Sequence, residues 1–311
     1  MGTQQAATLH VTNGDSVVYT FKKAGVVGTH LPWRDVLHEG PVPADATLEE
    51  LSTIRGEYLA SRGFGKPIKV LHDFAARDAT LRRAREFAEV VLWFEHDLYD
   101  QLQLLQILFE LEAMQLEPGS VSLIQSDDYL GSMTADELIA LYPKRKTVTQ
   151  GTFAAARAAW YAFRATEPGA LLVHAREDAP GLPHLRAAFR RLCQEYPWID
   201  DGLSRSQRHA LQAIATGPAR TDELFRRAQA REEAPFLGDL AFDAILRDLR
   251  SEPAPLVEGE EASLVPTARG RSILAGAEDW LGAHPLDRWI GGAHLTATHC
   301  YRWDDAAHAF V

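Results

Sequence analysis

Ionisable side chains follow the end of an apolar run at residues 90–94. Glu95, His96 and Asp97 come directly after it, and Asp100 follows three residues later. Open α/β sheets bind ligands at the carboxyl ends of strands, beside helix N-termini. Glu95 and His96 are candidates for general acid–base chemistry, because a lone Glu leaving an apolar strand is expensive to bury unpaired. Asp97 and Asp100 have a cheaper explanation as the N-cap and third residue of the following helix.

A second polar segment, with sequence NGDS, follows the apolar residues 9–12. We expect Gly14 to adopt a positive φ and to let the backbone approach a ligand closely. Asp15 would orient or ligate the substrate, and the backbone amides of a helix starting here would meet an anionic group. Asn13 and Ser16 would bind substrate beside them. The alternative is an ordinary turn followed by an Asp or Ser N-cap.

A third polar segment begins after residues 28–33 and contains Arg34, Asp35, His38 and Glu39. Arg34 would neutralise developing negative charge, and His38 has the ordinary pKa of a proton carrier at neutral pH. The alternative is a solvated loop that ends at a Gly-Pro pair.

The three strand ends together predict one site. We predict catalytic roles for Asp15, Glu95 and His96. The residues that we expect to bind substrate are Asn13, Gly14, Ser16, Arg34, Asp35, His38, Glu39, Asp97 and Asp100. The cofactor is open; donor atoms for a divalent metal ion, in a spacing that matches no diagnostic motif, occur on Asp15, Glu95, His96 and Asp97.

Ser16 also has an alternative interpretation as a nucleophile. The segment Gly14-Asp15-Ser16 is similar to the serine motif of SGNH-type esterases, and Asp305 and His308 match their Asp-x-x-His spacing. The Gly-x-Asn-Asp element that supplies the oxyanion hole in those enzymes is missing from this sequence. A serine esterase is therefore the minor alternative.

Strands and helices alternate over the first 150 residues, which predicts a Rossmann-like parallel sheet. Predicted strands cover residues 9–12, 28–33, 90–94 and 121–125. Predicted helices cover residues 16–24, 48–62, 78–87 and 98–114, and a capping box at Thr134 and Glu137 opens another.

The remainder of the chain changes character. We predict a helical connector over residues 151–202, a winged-helix domain over 203–280 and a C-terminal β-hairpin tail over 281–311. The helices of the predicted winged helix are residues 206–215, 221–230 and 236–250, and its wing strands are 255–257 and 263–266. Two segments, 233–239 and 287–294, are candidates to fold back toward the first domain, the latter with Arg288 and His294. The alternative, which is favoured, is that both segments pack in the core.

The third helix and the wing of this region are acidic on balance. The helix carries Asp239, Asp243 and Asp248 beside Arg247 and Arg250, and the wing carries Glu258, Glu260 and Glu261. DNA-reading winged helices present basic side chains at both places. The sequence therefore disfavours DNA as a partner. It favours contact with a protein, which is either another protein or a second copy of this chain in a homo-oligomer.

Composition indicates a soluble globular protein. The 311 residues carry a formal net charge of −11, which argues against broad binding to nucleic acid. No apolar run approaches the roughly 18 residues of a membrane span, and we expect no secretory signal. With two isolated cysteines, the sequence predicts no disulfide framework and a cytoplasmic location.

Long motifs resemble the bacterial family known as domain of unknown function 1835, in its longer members. The matching segments are 10–16 (HVTNGDS), 33–41 (WRDVLHEGP), 92–101 (LWFEHDLYDQ), 235–239 (PFLGD) and 287–292 (DRWIGG). The resemblance covers most of the chain and implies that the three strand ends belong together. It implies no activity, because the family is named for the absence of one.

Three functions are open at this point. The leading hypothesis is a hydrolase or group-transfer enzyme that acts on a small polar, phosphorylated or nucleotide-like molecule. No Gly-x-Gly-x-x-Gly or Walker loop follows the first strand, so redox chemistry with a dinucleotide is disfavoured. The alternatives are a ligand-sensing regulator that signals through its winged helix and a scaffold without a small-molecule site.

Overall fold

The computed structural model describes residues 8–260 and 263–311, and in that part the chain is a mixed α/β protein. The strands are β1 (Thr8–Thr12), β2 (Thr29–Pro32), β3 (Gly40–Pro41), β4 (Glu89–Glu95), β5 (Val121–Ser126), β6 (Lys146–Thr147), β7 (Val257–Glu258), β8 (Val265–Pro266), β9 (Asp287–Gly291), β10 (Ala293–Thr296), β11 (Trp303–Asp304) and β12 (Ala309–Phe310). The helices are α1 (Asp15–Ala24), α2 (Leu48–Ser61), α3 (Pro67–Arg82), α4 (Leu98–Ala113), α5 (Ala135–Leu141), α6 (Gln150–Arg164), α7 (Leu171–Arg176), α8 (Leu185–Cys193), α9 (Arg205–Ala215), α10 (Thr221–Gln229), α11 (Asp239–Leu249) and α12 (Ala268–Leu274).

The main sheet has five strands in the order β2-β1-β4-β5-β6. The first four are parallel, and the edge strand β6 is antiparallel to β5. The chain moves from β1 to β2 on one side and then crosses back to β4 on the other, so the order reverses between β1 and β4. In open α/β sheets the crevice at such a reversal is the usual ligand position. The prediction of a mostly parallel α/β sheet is confirmed.

Strand β4 is buried on both faces, which explains its unbroken apolar run. Val91 and Trp93 pack against α1 on one face, in a cluster with Phe21. Leu92 and Phe94 face the opposite side and belong to the largest core cluster, which includes the leucines of α4. Helices on both faces therefore hold the carboxyl end of β4 at a fixed position.

Helices α3 and α7 differ from the sequence predictions. Helix α3 begins at Pro67 and ends at Arg82, whereas the predicted helix covered residues 78–87; a separate 3-10 turn follows at Ala84–Glu86. Proline at the first helical position is the start signal that the prediction missed. Helix α7 was not predicted, because the Pro-Gly pair before it indicated only a break.

Residues 203–280 have their own apolar core, formed by α9 to α12 and the antiparallel pair β7–β8. The elements follow the predicted order, but α11 begins at Asp239 and not at Phe236. Residues 236–238 lie outside the helix, and the side chain of Phe236 packs in the core cluster of the main sheet. Of the acidic residues predicted on the wing, Glu261 lies outside the described residues.

The C-terminal segment returns to the N-terminal region. Strand β9 pairs with β10 in an antiparallel hairpin and with β3 in parallel, where Gly40 is opposite Ile290. A second short antiparallel pair, β11–β12, follows, with Trp303 opposite Phe310. Within the described ranges, none of the helices combines the length and the apolar character that crossing a membrane requires.

Candidate functional site

Three buried carboxylates converge where β4 ends and α4 begins. Each of Glu95, Asp97 and Asp100 has an oxygen within 4.8 Å of an oxygen of the others. Their residue exposures are 4%, 3% and 0%. We call these three residues the acidic cluster. It lies at the reversal of strand order, because β4 pairs there with β1.

The acidic cluster is held by hydrogen bonds from three strand ends. Asp97 caps α4, where its carboxylate accepts from the Asp100 amide at 3.0 Å. Asp100 accepts from the Glu95 amide at 2.7 Å and from the side-chain amide of Asn13, after β1, at 2.9 Å. Glu95 accepts from the amide of Leu130, in the loop after β5, at 2.7 Å. These hydrogen bonds fix the positions of the three carboxylates, and the sheet places the strand ends that make them.

No cation balances this charge in the part of the chain that is described: no Lys, Arg or His nitrogen forms an ion pair with Glu95, Asp97 or Asp100. Burial raises the pKa of Asp97 to about 7, although the Asp100 amide opposes this shift. Burial also raises the pKa of Glu95, and burial together with the Asp97 and Glu95 charges raises the pKa of Asp100. The cluster therefore keeps protons at a pH where exposed carboxyl groups have lost them.

Aromatic side chains and histidines border the acidic cluster. The ring of His96 lies 5.2 Å from the ring of Tyr129 and 6.0 Å from that of His184, and its Nδ1 is buried without a partner. Tyr129 donates from its hydroxyl to the carbonyl of Pro235 at 2.8 Å. Segment 233–239 therefore contacts the first region through Pro235, while Phe236 packs in the core.

Tyr129 and His184 were not among the predicted site residues. Tyr129 follows β5 in the sequence SDDY, which is a fourth polar strand end of the same kind as the other three. This pattern is visible in the sequence and is enough to place Tyr129 among the candidate site residues. His184 immediately precedes α8, and its approach to His96 depends on the tertiary structure alone.

The first strand end differs from its prediction in one respect. Gly14 is the N-cap of α1 with a φ of −168°, which is extended backbone and not the expected positive φ. No side chain caps this helix, and a Cβ at Gly14 would have open space around it. Ser16 is exposed. The amide end of α1 is therefore uncovered beside β1.

Asp15 lies outside the acidic cluster. Arg34 donates to both of its carboxylate oxygens, at 2.6 and 2.5 Å, in an ion pair at the protein surface. Arg34 itself has a φ of 61°, which non-glycine residues rarely adopt. The predicted metal donors were Asp15, Glu95, His96 and Asp97. In the structure, the carboxylates that lie close together are instead those of Glu95, Asp97 and Asp100.

Asp35 and His38 are buried in other surroundings. Asp35 is fully buried and accepts from Arg55 Nε at 3.0 Å, with Arg77 at 3.9 Å. His38 packs edge-on against Phe236 at 4.9 Å, and burial lowers its pKa to about 3. Burial therefore favours the neutral form of His38, which does not support the predicted role of proton carrier.

The remaining candidates also have partners elsewhere. Glu39 lines a separate cavity beside Arg62. Arg288 donates to Glu195, and His294 bonds to Asp287 at 2.7 Å. Asp305, which the esterase alternative pairs with His308, accepts hydrogen bonds from side chains in its own hairpin and in α8's C-cap.

No protein-family model matches the chain. No curated protein matches it significantly either. The resemblance to the family of domain of unknown function 1835 stays a prediction that rests on the motifs quoted above.

Proposed function

We propose that the protein is an enzyme of the hydrolase or group-transfer type, with a small polar, phosphorylated or nucleotide-like substrate bound over the acidic cluster. The observation that carries the proposal is the convergence of three buried carboxylates without a counterion at the strand-order reversal. Burying such a group is costly unless a ligand compensates its charge. Buried ionisable groups with strongly shifted pKa values are concentrated at functional sites.

A divalent cation fits the donor set. Three carboxylates offer only oxygen, which Mg²⁺ and Mn²⁺ prefer. Two neighbouring amide oxygens also have no hydrogen-bond partner: Oδ1 of Asn13 and Oε1 of Gln101, a residue that is 1% exposed. Gln101 donates its Nε2 to the Glu95 carbonyl at 2.7 Å, and Asn13 donates its Nδ2 to Asp100 at 2.9 Å, so both side-chain amides belong to residues that contact the cluster.

A phosphate group on the substrate explains the uncovered end of α1. Helix N-termini attract anions, and the next strand end adds the half-exposed guanidinium of Arg34. An anion would be repelled by three carboxylates unless a cation lay between them. Mg²⁺ is commonly bound in this way, by one or two carboxylates and the phosphate of the substrate.

Proton transfer is assigned to His96, and Glu95 is assigned to holding the cation. Without a cation, Asp97 titrates near neutral pH, which suits general acid–base catalysis. A bound cation would lower the carboxyl pKa values, and His96, whose Nδ1 has no partner, then remains available as the base. Hydrolysis of a phosphate ester or transfer of its phosphoryl group needs these functions and no redox cofactor.

The test is turnover of phosphorylated compounds. Wild-type protein with Mg²⁺ or Mn²⁺ is assayed for phosphate release from 4-nitrophenyl phosphate, nucleoside triphosphates and sugar phosphates. His96→Ala should lose at least about 100-fold in rate, the usual contribution of general acid–base catalysis. Glu95→Gln should lose as much, because it removes a ligand of the cation that the reaction needs. Asp136→Asn, an exposed acid on α5, is the matched control and should keep the wild-type rate. Equal rates in wild type and Glu95→Gln would refute the assignment.

A regulatory role through residues 203–280 is the second candidate. We take α9 to α11 with β7–β8 as a winged-helix arrangement that contacts the first region rather than DNA. Arg62, which follows α2, donates to Asp248 of α11 at 3.1 and 2.9 Å, and Arg247 donates to the Arg62 carbonyl at 2.7 Å. Helix α11, the helix that would contact DNA in a DNA-binding winged helix, therefore contacts the N-terminal region of the same chain. This favours a signal that passes between these two regions over one that passes to DNA.

A further inference from the structure

Tyr129 borders the acidic cluster and is held by a residue from far along the chain. Its ring centre lies 5.2 Å from that of His96, and the two ring planes are inclined by 54°. Its hydroxyl donates to the Pro235 carbonyl at 2.8 Å. Burial raises the pKa of Tyr129, and the charges of Asp97 and Glu95 raise it further. The phenol therefore keeps its proton at neutral pH, and its hydrogen bond to Pro235 fixes where the ring lies.

The carbonyl that accepts this hydrogen bond belongs to a segment that is packed on both sides. Phe236, the next residue, is buried. Its ring packs edge-on against His38 at 4.9 Å, and the Arg191 guanidinium lies 4.8 Å from the ring centre. Glu232, three residues before Pro235, accepts from Arg191 at 2.8 Å. The residues on both sides of Pro235 are therefore fixed, and its carbonyl is a rigid anchor for the phenol.

His96 depends on packing for its orientation. In the part of the chain that the structure describes, no hydrogen bond or ion pair holds its side chain, and its Nδ1 is buried without a partner. The aromatic rings that contact it are those of Tyr129 and of His184, whose centre is 6.0 Å away. A base acts only within hydrogen-bond reach of the proton that it takes, and a misplacement of about 1 Å can cost about 100-fold in rate. A base in this position therefore needs neighbours that hold its ring.

We propose that Tyr129 is a positioning residue, which holds the ring of His96 in place for proton transfer over the acidic cluster. The anchored phenol fixes the Tyr129 ring, and that ring limits the rotation of the imidazole beside it. The inference rests on the proposed function, in which His96 is the base. It gives the segment around Pro235 a part in the site, because the anchor of Tyr129 belongs to that segment.

Turnover of 4-nitrophenyl phosphate by the full chain with Mg²⁺ tests the proposal. Tyr129→Phe removes the anchoring hydroxyl, and Tyr129→Leu removes the ring as well. We expect kcat to fall about tenfold in the first variant and further in the second, because the base is misplaced. KM should stay within about twofold of wild type, because the ligands of the cation are intact. Tyr161→Phe, at an exposed tyrosine of α6, is the matched control and should keep the wild-type kcat.

The magnetic resonance signal of the His96 ring gives a readout that needs no turnover. The Hε1–Cε1 signal of His96 is assigned as the one missing from the spectrum of His96→Ala. Tyr129→Phe keeps an aromatic ring beside the imidazole, so a shift of this signal reports that one ring has moved relative to the other.

We expect the His96 signal to shift in Tyr129→Phe and to stay in place in Tyr161→Phe. An unmoved signal in Tyr129→Phe, or wild-type kcat in both Tyr129 variants, would overturn the positioning role. A wild-type protein that releases no phosphate would instead overturn the proposed function on which this role rests.

Discussion

Asp97 has two roles whose electrostatic consequences oppose each other. As the N-cap of α4 it accepts the Asp100 amide, and a negative charge there favours the helix dipole. As a member of the acidic cluster it is buried beside Glu95, whose charge helps to raise its pKa. The charge of Asp97 is therefore useful to the helix and costly to the cluster until a cation binds.

The pH dependence of stability should show this cost. The pKa of Asp97 is about 7 in the folded chain, above its ordinary value of 3.8, so the folded state holds the extra proton between these values. Stability must then fall as pH rises from about 4 to about 7. Asp97→Asn keeps the cap and removes the charge. In EDTA we expect this variant to be more stable than wild type at pH 8, by on the order of 2 kcal/mol, with a smaller difference at pH 5 that vanishes toward pH 4.

Urea unfolding at the two pH values measures this difference. Asp136→Asn serves again as the control and should follow wild type at both. An Asp97→Asn protein that is less stable than wild type at pH 8 would mean that the carboxylate charge is favourable in the empty site.

For single residues, the sequence indicated which side chains could do chemistry better than it indicated where those side chains would lie. Capping by Asp97 was correct, yet capping did not exclude Asp97 from the cluster. Asp15 and Asp97 have the same side chain at similar strand ends, but one lies at the surface with Arg34 and the other is buried. Which strand end turns inward depends on the helices packed above it, and local sequence does not report that.

At the scale of elements, one buried arginine connects α8 to α9 and to the segment after α10. Arg191 donates to Glu195 at 2.7 Å, to Ser206 at 2.8 Å and twice to Glu232 at 2.8 Å. These partners outweigh burial and lower the pKa of both glutamates to about 2. The network therefore holds the region of residues 203–280 against the sheet region.

Replacing one carboxylate of this network should be strongly destabilising. Glu232→Gln turns an amide toward the Arg191 donors and should cost about 3 kcal/mol at pH 7, as expected when a buried ion pair loses one partner. Because the folded pKa of Glu232 is depressed, its contribution is complete above pH 4.5 and is lost as pH falls toward 2. The difference from wild type should shrink accordingly in chemical unfolding at pH 7 and pH 3.5.

The neighbouring Glu233 is the matched control. Its side chain is 94% exposed and lies 4.0 Å from Arg205, so Glu233→Gln should change stability by less than about 0.5 kcal/mol. Equal effects of the two substitutions would show that the buried network does not connect these elements.

Elements were predictable where local signals were strong. The apolar run of β4, the wide apolar stripe of α4 and the capping box at Thr134 are all present. The start of α11 was placed too early because Phe236 continues the apolar pattern of that helix. In the structure its ring packs on His38 and the Arg191 guanidinium, and these contacts across the chain override the local pattern.

At the scale of the whole molecule, distant segments complete the surroundings of the site. Strand β9 adds to β3 across about 250 residues of sequence. The Pro235 carbonyl accepts from Tyr129 across 106 residues of sequence. The alternation of strands and helices was enough to predict the α/β class. The return of the C-terminal half was predicted only as a possibility for two segments, because no periodicity specifies a partner so far along the chain.

The most direct test of the central claim is thermal unfolding of the whole chain with and without a divalent cation at pH 7.5. Mg²⁺ or Mn²⁺ in excess over EDTA should raise the midpoint of wild type, and a concentration of a hundred times the dissociation constant adds roughly 2.7 kcal/mol. Glu95→Gln and Asp97→Asn should lose the shift, while Asp136→Asn keeps it. No shift in wild type, or the same shift in Asp97→Asn, would contradict a cation site at the acidic cluster.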